Sequence, residues 1–112
     1  MLRTLKGDKK IKTLFEKGFL LKEKNLLLKG YDFGEEESCF GVSVSKRFFR
    51  SAAARNKIKR QLRSIVRNYS SLVDVKKGVS FFIIYNSSET IDFKKLKESA
   101  EVLLERFKTK VF

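Results

Sequence analysis

The chain has 112 residues, and its 26 Lys and Arg against 13 Asp and Glu give a formal net charge of +13. That length predicts one domain over residues 1–112, and the charge predicts a polyanionic partner, nucleic acid in preference to an anionic membrane. The chain contains no His and one Cys, which excludes a zinc finger and a Ser-His-Asp or Cys-His triad within these residues. Its apolar runs are too short to span a bilayer, so we expect a cytoplasmic protein without a membrane span.

The first third of the chain predicts a helix followed by extended structure. Residues Asp8 to Lys17 form the helix, with Asp8 as its N-cap and Gly18 as its end. Residues Phe19 to Phe33 are apolar with one polar break, which is typical of one bent strand or two short ones. The three glutamates at 35–37 follow a glycine and predict a solvated turn.

The rest of the chain predicts strand, helix, strand and helix. Residues 40–45 alternate between apolar and small side chains, as in a half-buried strand. A helix from Ser51 to Tyr69, a buried strand from Val79 to Tyr85 and a last helix capped by Thr90 or Asp92 follow. Both long helices are apolar on one side only, so the expected fold class is α/β (α+β), a two-layer α-β sandwich.

The helix at 51–69 carries a basic row opposite its apolar stripe. At 100° per residue the row consists of Asn56, Arg60, Arg63 and Arg67. Arg55 falls near the buried side and is expected to act in a turn or a contact between elements. No acidic residue is interleaved to form the i,i+4 pairs of an ordinary solvated helix. Because the planar guanidinium suits phosphate, this face predicts nucleic-acid binding.

Two further features are compatible with a nucleic-acid surface. Ser43 and Ser45 are small, and Lys46 and Arg47 follow them directly, which leaves room for an approaching backbone. An ordinary half-exposed strand has the same pattern. Phe15 in the first helix has a ring able to stack an unpaired base, although a core position is the commoner role of such a residue.

Two segments together resemble the signature of the protein subunit of bacterial ribonuclease P. In that family a strand ending in VSK(K/R) precedes a helix carrying RNxxKRxxR. Here Val42 to Arg47 provide the strand end, and the helix motif is met at every fixed position. Those positions are Arg55, Asn56, Lys59, Arg60 and Arg63. The early Leu5, Phe15 and Gly18, the late strand and the closing helix extend the resemblance over nearly the whole chain.

The resemblance implies a fold and a mechanism. The fold would be a mixed central sheet with a left-handed βαβ crossover around the basic helix, similar to a domain of ribosomal proteins. A catalytic RNA with bound Mg²⁺ would hydrolyse one phosphodiester of precursor tRNA, releasing the 5′ leader. The protein would contribute no catalytic residue and would bind the ribonuclease P RNA and the leader. We expect the protein itself to be a monomer, without a membrane partner and with no assigned metal site.

The resemblance also assigns residues to the two RNA surfaces. The catalytic RNA would be bound by the motif residues Arg55, Asn56, Lys59, Arg60 and Arg63, to which the basic row of the helix adds Arg67. The leader would lie in a cleft beside Phe15, Lys46 and Arg47, and the small side chains of Ser43 and Ser45 on the adjoining strand place these two residues in the same cleft. The sequence departs from the family pattern at Ile11, Ser80 and Asn86, which stand where an aromatic, an acidic and a basic residue are expected.

Three other functions share part of this pattern. A ribosomal RNA-binding protein would have the same charge and size, although the complete helix motif argues against it. A DNA-binding regulator would need side chains suited to base edges, whereas an Arg and Lys row offers mostly phosphate contacts. A stand-alone nuclease would need clustered carboxylates for metal ions, and the run at 35–37 is better explained as a solubilising turn.

Overall fold

The computed structural model describes residues 3–70 and 78–111. Along the chain it contains β1 (Arg3–Thr4), α1 (Asp8–Lys17), β2 (Phe19–Glu23), β3 (Leu26–Asp32), β4 (Cys39–Val44), α2 (Ala52–Ser70), β5 (Val79–Tyr85) and α3 (Phe93–Val111). The five strands form one mixed sheet in the order β1-β4-β5-β3-β2. The fold class predicted from the sequence is confirmed.

The pairing of the strands explains how α2 is held. Strands β4 and β5 are parallel neighbours, with Val42 opposite Ile83, so the chain must cross over between them, and α2 lies in that crossover. Strands β5, β3 and β2 are antiparallel neighbours. The βαβ unit is therefore confirmed, whereas its left hand stays a prediction.

The main core lies between one face of the sheet and the two long helices. Alternate residues of the three central strands, such as Leu28, Val42 and Ile83, meet the apolar stripes of α2 and α3. Leu62 of α2 and Leu103 of α3 are fully buried there. Burial of these stripes fixes the rotation of α2 about its axis, and hence the direction in which its basic face points.

Helix α1 lies on the opposite face of the sheet. The ring of Phe15 is 5.5 Å from the ring of Phe82, whose side chain points away from the main core. The Nζ of Lys29 donates a hydrogen bond to the Phe15 carbonyl at 3.0 Å. Ser43 and Ile84 on the same side remain half-buried, which shows that the helix covers only part of this face.

The helix ends agree with the sequence in all but one case. Ser51 caps α2 through its hydroxyl, which accepts the Ala54 N–H at 3.3 Å, and Asp92 caps α3 through the Lys95 N–H at 2.8 Å. The predicted Asp8 cap of α1 is wrong. Gly7 stands at the N-cap with φ 96°, and Asp8 is the first helical residue.

One strand prediction is refined, and one strand was not predicted. The segment from Phe19 to Phe33 forms the two-strand alternative, a hairpin that turns at Lys24 and Asn25 between Glu23 and Leu26. Strand β1 was not predicted, since two residues carry no periodic pattern and its partner β4 lies 36 residues along the chain, as in the pairing of Arg3 with Cys39.

Candidate RNA-binding surfaces

The outer face of α2 is a row of polar side chains, several of which have no partner among the described residues. Asn56, Arg60 and Arg63 are exposed, and Lys59 at their flank is half-buried. Within the described residues none of these four side chains forms an ion pair or a hydrogen bond. Two guanidinium groups without a carboxylate partner make this face suited to phosphate oxygens.

Arg67, predicted to belong to the same row, lies differently. Its guanidinium carbon is 5.4 Å from the centroid of the Phe40 ring, at the start of β4. The helical position gives only the direction of the Cβ atom, and a side chain as long as arginine can fold back toward the sheet. Arg67 is therefore already engaged within the protein, and its assignment to the catalytic RNA stays a prediction.

Arg55 makes the contact between elements that its helical position predicts. Its guanidinium donates hydrogen bonds to the main-chain carbonyls of Phe49 at 2.6 Å and of Arg50 at 2.9 Å. Arg55 thereby ties the first turn of α2 to the loop that precedes it. Its direct contact with RNA stays a prediction.

That preceding loop, residues 45–51, is compact and basic. The Phe48 and Phe49 amides both donate to the Ser45 carbonyl, at 3.2 and 3.3 Å. Lys46 and Arg47 are exposed, and the Arg47 guanidinium carbon lies 5.7 Å from the Phe48 ring centroid. Phe48, which the sequence analysis overlooked, is 37% exposed and adds an accessible aromatic ring to the loop.

The predicted leader cleft corresponds to the uncovered part of the sheet face beside α1. Ser43 lies two residues beyond Gly41 on β4, so both face the side on which Phe15 packs. Ser45 follows at the end of the strand, where its N–H donates to the Tyr85 carbonyl at 3.1 Å. Phe15 is 36% exposed at the border of this surface.

Phe82 is a member of this surface that the sequence analysis missed. Its ring lies directly over Gly41, where an added Cβ would be 2.5 Å from the ring atoms. Phe82 and Ile84 are only half-buried, so β5 is central in the sheet but not covered on both faces. The exposure of Phe82 could not be predicted, because the continuous apolar run of β5 does not show which alternate residues face the main core.

The three departures from the family pattern occupy different environments. Ser80 is 1% exposed, and its hydroxyl accepts the Cys39 N–H at 3.1 Å. Ile11 is half-buried on α1, and Asn86 is exposed after β5, where its N–H donates to the Asn25 carbonyl at 2.9 Å. Ser80 therefore serves the β4–β5 pairing rather than the surface.

The acidic residues form no obvious metal centre in the part of the chain that the structure describes. No group of three or more His, Cys, Asp or Glu side chains is placed to hold a metal ion there. Glu35, from the predicted solvated turn, pairs with Lys10 of α1. Among the same residues, no helix is both long enough and apolar enough to cross a membrane.

Comparison with known proteins gives one consistent result. The family model described as Ribonuclease P matches residues 2–108. A curated relative, the ribonuclease P protein component of Synechocystis sp., is 30% identical over 81 residues, which are 71% of this chain and 64% of that protein. The chain thus spans somewhat less than two thirds of that relative's length.

Solved structures agree with this result. The RNase P protein of Thermotoga maritima is 26% identical, with a TM-score of 0.78 over 93% of this chain and 96% of that one. The RNase P protein of Staphylococcus aureus is 20% identical, with a TM-score of 0.81 over 96% and 97% of the two chains. The second likeness shows the shared fold.

Proposed function

This chain belongs to the ribonuclease P protein family, and from that premise we propose that it binds the catalytic RNA and the 5′ leader of precursor tRNA, assisting the removal of the leader. The observation that carries the proposal is the outer face of α2. There Asn56, Arg60 and Arg63 of the family motif are exposed and have no partner among the described residues. Membership of the family implies a protein component of an RNA-containing endoribonuclease that acts in tRNA processing.

In this proposal the protein supplies binding and the RNA supplies the chemistry. Mg²⁺ bound by the RNA assists the attack of water on one phosphodiester, which leaves a 5′-phosphate on the tRNA and a 3′-hydroxyl on the leader. The residues of α2 neutralise phosphates of the catalytic RNA, which lowers the repulsion between two polyanions. We infer a cytoplasmic location and a monomeric protein before assembly with the RNA.

The surface beside α1 is proposed to hold the single-stranded leader. The exposed part of the Phe15 ring, which packs against Phe82, offers a surface on which an unpaired base can stack. Lys46 and Arg47 at the end of the strand are exposed and placed for phosphates. Ser43 and Ser45 have small side chains, so the surface between Phe15 and the two basic residues does not obstruct the approach of a nucleic-acid backbone.

The test is a comparison of RNA partners at one salt concentration. The protein should bind a bacterial ribonuclease P RNA at least tenfold more tightly than a ribosomal RNA fragment of the same length. Charge alone would give both RNAs similar affinities, because phosphate contacts carry no sequence information. Equal affinities, or a preference for the ribosomal fragment, would support a general or ribosomal RNA-binding protein instead.

A further inference from the structure

A groove lies between α2 and the start of α3, on the side of the sheet away from Phe15. It has an inner part of about 600 Å³, whose apolar lining includes Ile58 and Ile91, and an outer part of about 440 Å³ next to Arg60. Lys57, Gln61 and Phe93 line both parts. The two depressions are therefore neighbours on either side of these shared side chains.

Phe93 is the unusual residue of the groove. It is the first residue of α3 and is 44% exposed. Other phenylalanines of the chain, such as Phe15 and Phe81, pack against a second ring. Within the described residues Phe93 makes no ring–ring contact. A ring with nearly half of its surface accessible, at the border of a cavity of this size, has space beside it for a planar ligand.

The polar groups around Phe93 favour an anionic ligand with a hydrogen-bonding edge. Lys57 and Arg60 form no ion pair among the described residues. The single carboxylate of the lining, Asp92, already accepts the Lys95 N–H as the cap of α3. Gln61 makes no side-chain hydrogen bond in the described part of the chain, so both its donor and its acceptor are available.

We propose that this groove binds one unpaired nucleotide of the catalytic RNA. The base enters the inner part, stacks on Phe93 and meets the Gln61 amide, while its phosphate lies between Lys57 and Arg60 in the outer part. The cavity volumes suit a single nucleotide. The inference rests on the proposed function, and it adds to the phosphate row of α2 a site that recognises a base.

The experiment measures binding of the full chain to a transcribed bacterial ribonuclease P RNA, together with the chemical reactivity of the RNA bases in the complex. Phe93→Ala should raise the Kd roughly tenfold, the usual effect of removing one stacked base contact. The slope of log Kd against log salt should stay unchanged, because no phosphate contact is lost. At least one unpaired base that the wild type protects should become reactive.

Two variants serve as controls. Val102→Ala removes an equally accessible apolar side chain, 46% exposed, from the same helix, and should leave both the Kd and the protections unchanged. Phe93→Leu keeps apolar bulk over the groove but removes the ring, so it should reproduce the loss of base protection while the protein stays folded by circular dichroism.

The outcomes separate this inference from the proposed function. If Phe93→Ala binds the RNA with the same Kd as the wild type and protects the same bases, the nucleotide site is overturned and the proposed function is not. A wild type that is a dimer by light scattering, and that Phe93→Ala converts to a monomer, would show that a second copy covers the groove. Failure of the wild type to bind the RNA at all would overturn the proposed function and this site together.

Discussion

The guanidinium of Arg55 donates a hydrogen bond of 2.6 Å to the main-chain carbonyl of Phe49, six residues before it. A second bond reaches the Arg50 carbonyl at 2.9 Å. The basic loop and the basic helix are thereby joined by one side chain. The motif arginine at the start of α2 thus has a structural task that is independent of any direct contact with RNA.

Arg55→Lys should therefore reduce stability as well as RNA binding. Lysine keeps the charge, but its side chain is one bond shorter, so its ammonium does not reach the position from which the Arg55 Nη1 donates to both carbonyls. We expect a loss of about 1.5–3 kcal/mol in the free energy of unfolding, the usual range for hydrogen bonds that involve a charged group. Urea unfolding measures it. Arg63→Lys, on the exposed face, is the matched control, and an equal loss in both variants would contradict the structural role of Arg55.

Arg60→Ala and Arg63→Ala should weaken binding of the catalytic RNA without changing stability. Each variant should lower the slope of log Kd against log salt by somewhat under one unit, as expected for one lost phosphate contact. Lys97→Ala on α3 makes the same change of charge on an exposed side chain elsewhere. If the Lys97 variant lowers the slope as much as the α2 variants, the net charge and not the outer face of α2 determines binding.

Phe15→Ala should weaken binding of precursor tRNA to the protein–RNA complex but leave mature tRNA unaffected. Loss of one stacked base is worth about 1–3 kcal/mol, and mature tRNA has no leader to stack. Phe15→Tyr keeps an aromatic ring and should retain the preference for precursor tRNA over mature tRNA. Leu20→Ala, on the edge strand β2, removes another exposed apolar side chain and is the control. The prediction fails if Phe15→Ala reduces both affinities by the same factor.

Gly41→Ala should destabilise the fold through Phe82. The added methyl group would lie 2.5 Å from ring atoms, which is too close for either group to remain in place. Overpacking of this kind typically costs about 1–3 kcal/mol. In a protein that already carries Phe82→Leu the same substitution should cost less, so the two changes are coupled in a double-mutant cycle by urea unfolding. Strictly additive effects would show that the ring does not occupy the space over Gly41.

Periodic patterns could be predicted from the sequence because they reflect burial on one side of an element. The stripe of α2 and its opposite basic row follow from 3.6 residues per turn, and Leu62 is buried as that stripe requires. The alternation around Val42 likewise shows which face of β4 is in the core. The motif residues at 55, 56, 59, 60 and 63 are placed by the same helix.

Contacts between elements could not be predicted in the same way. Arg67 leaves its row because a distant ring, Phe40, lies within reach of a long side chain. Phe82 belongs to the open sheet face because α1 covers only part of it, which is a property of the packed molecule. Phe93 becomes notable only when α2 and α3 are placed side by side.

The central claim is that this protein assists an RNA catalyst, and cleavage of a precursor tRNA tests it most directly. A bacterial ribonuclease P RNA should be incubated with the substrate at low Mg²⁺ with and without the protein. We predict accurate removal of the 5′ leader only when both are present, with reduced rates for Arg60→Ala and wild-type rates for Lys97→Ala. Cleavage by the protein alone, or no effect of the protein on several such RNAs, would contradict the account.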